Sequence, residues 1–327
     1  MTALSTRAKL VVATASAVLL GAVAAGYAAV AAEPTPPPTT AAGAAAVTLE
    51  PGPRLLTVTD RRVSSVSLAD PSGPRTVSTR ECLRVYAAGG IGVCLGPETA
   101  WSYQLVVLDA ALGATRTFAI PGLPNRARVS ASGRMVSWTT FVGGDSYTSS
   151  GFSTRTGILD TRTGVPVMSL EHFAVTRDGR PYRSADVNYW GVTFAADDNL
   201  FYATMSTGGK RYLVRGDFAA RTVETVKENV ECPSLSPDGR RIAFKEAIDA
   251  DPAKGWRLSV LDLATMRVTA TAETASVDDQ PAWLDDATLA YTLRQSDGRP
   301  DVWAVPADAT GAPRLLVPGA ESPSPLI

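Results

Sequence analysis

From Arg54 onward the hydrophobic positions fall in short runs separated by turn-forming residues, and no stretch keeps a helical period. The clearest stretch is Cys232-Pro233-Ser234-Leu235-Ser236-Pro237-Asp238-Gly239-Arg240-Arg241-Ile242-Ala243-Phe244. Two apolar runs flank a Ser-Pro-Asp-Gly turn. Pro237 presets φ, Asp238 bonds its own backbone, and Gly239 supplies the positive φ. The pattern predicts a β-hairpin. Leu258 to Thr265 predicts a third strand and Arg267 to Glu273 a fourth, which makes one antiparallel unit.

The unit recurs. Arg128 to Trp138 repeats the hairpin, with Ser130 in the place of Ser236, Gly133 of Gly239, Arg134 of Arg240 and Trp138 of Phe244. Looser copies run from Pro281 to Tyr291 and from Trp190 to Tyr202. The third strand recurs at Leu105–Asp109 and Thr156–Asp160, with Tyr212–Arg215 and Val302–Pro306 in equivalent places. Six units fit, starting near residues 54, 80, 126, 187, 230 and 279. A repeat of about 46 residues is the size of a four-stranded propeller blade. The first copy lacks an innermost strand, and Ser322-Pro323-Ser324-Pro325-Leu326-Ile327 looks like Cys232-Pro233-Ser234-Leu235 without its hairpin. The C-terminal strand is therefore expected to complete the first blade and close the ring.

Ser236-Pro237-Asp238-Gly239-Arg240-Arg241-Ile242-Ala243-Phe244 followed by Val260-Leu261-Asp262 resembles the repeat of TolB-type β-propellers. The resemblance spans residues 54–327 at blade level. It implies an all-β, six-bladed β-propeller of four-stranded antiparallel blades that binds a partner. TolB itself carries an additional α/β domain before its propeller, where this chain has an apolar run and a proline-rich stretch. No partner-contacting residue is carried over for that reason.

Arg7 and Lys9 precede an uncharged run from Leu10 to Ala32, long enough to cross a bilayer, and Ala29-Val30-Ala31 offers a small-x-small cleavage site. Residues 1–32 are expected to be a signal-anchor transmembrane helix or a cleaved signal peptide. Residues 33–53 are expected to be a Pro/Thr/Ala-rich linker and residues 54–327 the propeller. The propeller is then extracytoplasmic on a single-pass tether at the cell membrane, or secreted. A net charge of −1 leaves no electrostatic footprint for nucleic acid.

An exported chain makes cysteine pairing relevant. With Ala87-Ala88-Gly89 as a three-residue loop, Cys82 faces Cys94 across two strands, within disulfide reach. Cys232 aligns with Cys82 but has Phe244 where Cys94 would stand, which predicts a buried free thiol.

Catalytic chemistry is sparse. His172 is the one histidine, and neither a Gly-x-Ser-x-Gly elbow nor a glycine-rich phosphate loop is present. Of the acidic pairs Asp197-Asp198, Asp278-Asp279 and Asp285-Asp286, two fall in turns where Asp is ordinary turn chemistry. No catalytic residue, metal ligand set or cofactor is expected.

Loops joining second and third strands leave a propeller on the same face as the loops between blades. Here the long loops are of these kinds: Gly143–Gly151, Ala247–Gly255 and Glu171–Asp186. Binding residues on rigid scaffolds concentrate in such loops, although tolerated insertions look the same in sequence. The candidate recognition residues are Trp101, Tyr147, Arg180, Tyr182, Asp249 and Asp251. The leading expectation is a non-enzymatic module that binds a protein or a cell-envelope component. The alternative is a propeller lactonase or glycan hydrolase using carboxylates around the central channel.

Overall fold

The Ser236–Gly239 turn is built as its sequence predicts. Gly239 takes φ 69° and its amide donates to the Ser236 carbonyl at 2.9 Å, while the Arg241 amide donates to Ser236 Oγ at 3.0 Å. Ser130 repeats the bond, accepting from the Met135 amide at 3.0 Å. Hairpins made this way set the register of the strands that follow.

The computed structural model describes residues 46–143 and 153–326. The apolar run Leu10–Ala32 lies outside them, and among the described residues no helix is long and apolar enough to cross a membrane. Six sheets, each with a core of four antiparallel strands, follow one another around a ring. The second blade has strands Arg84–Ala88, Ile91–Pro97, Tyr103–Leu108 and Ala114–Ile120, listed from the axis outward. The third starts at Leu123–Val129, the fourth at Asn188–Phe194, the fifth at Glu231–Leu235 and the sixth at Ala282–Trp283. The C-terminal strand Glu321–Pro325 pairs antiparallel with Arg54–Thr59 and is the innermost strand of the first blade. The expected ring closure is present.

Packing follows the ring, with one apolar cluster in each seam between neighbouring blades. Val93, Leu105 and Trp138 lie between blades two and three, and Leu213, Ile242 and Phe244 between four and five. Leu55, Val66, Ala290 and Val302 join blade six to blade one. Each blade is thus apolar on both faces, which is why its strands read as near-continuous hydrophobic runs.

Three expectations change. The linker ends earlier than residue 53, because Val47 and Leu49 are buried in the seam between blades one and two. The Leu49 amide also donates to the Ala110 carbonyl at 2.8 Å. The second correction concerns Cys82–Cys94, which is a disulfide with Cα atoms 5.5 Å apart, although not in the predicted register. Gly89 and Gly90 both take positive φ and form a two-residue turn, so Cys94 faces Val85. Cys82 precedes the strand, on the connection from blade one, and its amide bonds the Arg61 carbonyl. Third, Glu171–Asp186 is not a simple loop. Asp178-Gly179 turns a hairpin of Ala174–Arg177 and Arg180–Tyr182, which pairs parallel to Thr222–Glu228 and extends the fourth blade to six strands.

An Asp ends the third strand in blades three to five, or follows it within two residues in blades two and six, and caps the following turn. Asp109, Asp160, Asp217, Asp262 and Asp308 each accept a backbone amide two to four residues on. The Arg134 guanidinium, 2.6 Å away, holds the Asp160 carboxyl below its usual range. Backbone amides do the same for Asp217 and Asp262, and the Thr310 hydroxyl and amide for Asp308. Folded pKa values below an unfolded value of about 3.9 add stability that is complete above that pH and lost as pH falls through the folded values. Urea midpoints should therefore drop between about pH 6 and about pH 3. Midpoints that hold steady over this range would contradict the capping role.

Candidate functional site

The innermost strands begin on the face that carries the long loops and end on the face that carries the tight turns. Between the two faces, side chains cross the axis. Arg128 of blade three donates to Ser234 Oγ of blade five at 3.1 Å and to the Pro281 carbonyl before blade six, and lies 4.3 Å from the Tyr86 ring centroid. Gln280 donates to the carbonyls of Val192 and Pro233 at 3.1 and 2.7 Å. The axis is therefore filled at mid-height, with a funnel on each side. The turn face has a hollow of ≈ 270 Å³, walled in part by Ser236 to Gly239. The long-loop face has the larger cavity, ≈ 560 Å³.

The floor of the larger funnel is charged. Lys245 is buried on the second strand of blade five, with Nζ 2.5 Å from Asp278 Oδ1, 3.4 Å from Glu231 Oε2 and 3.9 Å from the Trp256 ring centroid. Glu231 also pairs with Arg211 Nε at 3.0 Å. Arg126 is 7% exposed and donates to the Asn125 and Asp278 carbonyls at 3.1 and 3.3 Å. Its Nε is buried without a hydrogen-bond partner. Burial disfavours the Asp278 carboxylate, but Lys245 and Arg126 outweigh it and hold its pKa below the usual range. Burial disfavours the Lys245 ammonium as well, and the facing carboxylates of Glu231 and Asp278 favour it. The floor is thus a chain of alternating charges from Arg211 to Arg126.

Cys232 lines this cavity with φ 50°, an uncommon conformation for a residue with a Cβ. Its amide donates to Thr204 Oγ1 of blade four at 2.8 Å, and burial pushes the thiol pKa up, so it is a neutral buried thiol as expected. Gly191, at φ 65° on the neighbouring innermost strand, sits so close that a Cβ there would lie 2.7 Å from the Cys232 Cα.

The sequence candidates are dispersed. Trp101 lies in the second-to-third-strand turn of blade two on the long-loop face and is 94% exposed. Asp249 and Asp251 lie on the corresponding loop of blade five, across the ring, where Asp249 pairs with Lys254 at 3.0 Å and Asp251 caps the Ala253 amide at 3.0 Å. Arg180 and Tyr182 stand on the outer edge of blade four, and the Tyr182 hydroxyl bonds Thr207 at 2.8 Å. Tyr147 lies outside the described residues. His172 is exposed on a short 3-10 helix. Asp197 and Asp285 accept turn amides, as expected of turn chemistry. Among the described residues, no three His, Cys, Asp or Glu side chains converge as a metal would require.

Loop length did not point to Arg126, Glu231, Lys245 or Asp278. The available signal was a charge inside an innermost or second strand that otherwise reads as apolar, such as Lys245 within Ile242–Ala247. Buried charges of that kind need partners, and the partners come from other blades.

No protein-family model matches the chain, and no curated protein sequence does. Among solved structures it is similar to TolB from Acinetobacter baumannii, with TM-score 0.63 and 15% identity over 84% of this chain and 67% of that one. A protein described as TolB from Agrobacterium tumefaciens matches with TM-score 0.51 and 12% identity over 83% and 92%. A chain of a nidogen/laminin complex matches with TM-score 0.55 and 11% identity over 84% and 98%. At these identities the likeness is one of fold, that of TolB-type six-bladed propellers.

Replacing Gly191 by Ala should force the innermost strands of blades four and five apart at the funnel wall. The expected cost is about 1–3 kcal/mol, read from denaturant unfolding. An unchanged midpoint would mean that the close approach at Cys232 is not a packing constraint.

Proposed function

We propose that this protein is an exported, non-enzymatic binding module that presents the long-loop face of its propeller to a protein or a cell-envelope component. One observation carries this reading. The long-loop face combines a cavity of ≈ 560 Å³ on the axis with an almost fully exposed tryptophan, Trp101, in a hydrogen-bonded turn. Exposed aromatics on rigid turns are the anchors that interfaces favour. The occurrence of a similar propeller in a nidogen/laminin complex is in keeping with a protein partner. Export and a membrane tether rest on the run Leu10–Ala32 behind Arg7 and Lys9.

Binding suits the funnel better than hydrolysis. Both carboxylates that line it, Glu231 and Asp278, lie against cations. Lys245 and Arg126 hold the Asp278 carboxyl below its usual range, and Glu231, although burial pushes its pKa up, is tied to both Arg211 and Lys245.

Crosslinking in intact cells from a photoreactive residue at Trp101 or Asp249, read by mass spectrometry, tests the assignment. A defined protein or envelope adduct is expected from these positions and not from a probe in the Ser236–Gly239 turn. Adducts from neither position, or equal adducts from the turn, would overturn it.

A further inference from the structure

We infer that the floor of the long-loop funnel is a seat for a single carboxylate group of a small acid, bonded by Arg126 and Lys245, and that the Asp278 carboxylate competes for the same seat. This rests on the long-loop face being the recognition surface, and adds the chemical group that it recognises.

Arg126 supplies the first reason. Its side chain lines the cavity, is more than nine-tenths buried, and carries an Nε–H with no acceptor. A buried guanidinium N–H without an acceptor is costly, and native structures rarely leave one. The two Nη groups are fixed by backbone carbonyls, so the free N–H is held in place and not merely unplaced. A planar guanidinium matches a planar carboxylate better than it matches any neutral group.

Asp278 supplies the second reason. Its side chain is 68% exposed, yet Oδ1 touches the buried Lys245 Nζ at 2.5 Å and lies 3.8 Å from Arg126 Nη2. An exposed carboxylate at the tip of two buried cations is in the position that an incoming carboxylate would take. If the side chain turns into solvent, the Asp278 carbonyl still holds Arg126. Exchange therefore swaps one carboxylate for another and leaves no buried cation uncompensated.

Charge and size agree. Five cations line the cavity, Arg84, Arg126, Arg211, Lys245 and Arg294, against the acids Glu231 and Asp278. Behind the wall, Arg84 and Arg294 share one oxygen of Glu321, at 2.6 and 2.7 Å. The cavity falls within the range of about 300–1,000 Å³ usual for small-molecule sites.

The test is a tryptophan-fluorescence titration of the full chain at constant ionic strength, because Trp190 and Trp256 line the cavity. The probes are N-acetylaspartate and glucuronate, each against its neutral counterpart, N-acetylasparagine and glucose. Saturable binding of at least one acid and of neither neutral compound is expected, and which acid binds separates an amino-acid source from a sugar source. Asp278→Asn removes the internal competitor and should tighten that binding by on the order of tenfold. The double variant Lys245→Met, Glu231→Gln, which removes one charge of each sign from the floor, should abolish it. Equal responses to acids and neutral compounds, weaker binding by Asp278→Asn, or no response of Asp278→Asn to either acid would overturn the seat. A partner crosslinked from Trp101 without acid binding would remove the seat and leave the recognition surface standing.

Discussion

Closure of the ring by Glu321–Pro325 is the constraint on which the rest of the structure depends. A single blade has apolar residues on both faces and cannot stand in water alone. Each blade is stable because two neighbours cover it, and that condition holds for every blade only if the last meets the first. The closing strand does more than add a ladder of backbone bonds. Ser324 Oγ accepts from the Ala87 amide at 2.9 Å and donates to the Ala87 carbonyl at 3.1 Å, and Ser322 Oγ does the same for Val85. Two hydroxyls thus stand in for a strand pairing between blades one and two.

The same closure makes the axis usable. Arg126 and Arg128 on blade three meet acceptors between blades five and six, more than 150 residues away in the chain. Glu321, on the closing strand, gathers Arg84 of blade two and Arg294 of blade six. Buried cations are tolerable only where such partners are fixed, and a rigid ring fixes them. The long-loop face thereby gains a charged floor below a rim that carries Trp101, and specificity can come from the floor while contact area comes from the rim.

What was legible in the sequence is what is local. Ser236 to Gly239 specifies its own turn, the same chemistry marks Ser130 to Gly133, and the resemblance of Ser322–Ser324 to the start of blade five pointed to closure. Where local signals competed, the sequence misled by small steps. Gly89-Gly90 outweighed Ala87-Ala88-Gly89 as a turn because two adjacent positive φ values suit a two-residue hairpin, which moved the register at Cys94. Asp178-Gly179 is an equally good hairpin signal inside a segment that reads as a loop. The funnel floor was hidden for a different reason. Lys245 looks like a solvent-facing strand residue until the ring brings Glu231, Asp278 and Trp256 around it.

The most direct test of closure is to delete residues 321–327 and follow denaturant unfolding of the remaining chain. Loss of the innermost strand of blade one uncovers Leu55 and Leu56 and removes the hydroxyl bonds to blade two. The cooperative transition should then be lost or shift to far lower denaturant. A shortened chain that unfolds at the midpoint of the full chain would show that the ring holds without its clasp.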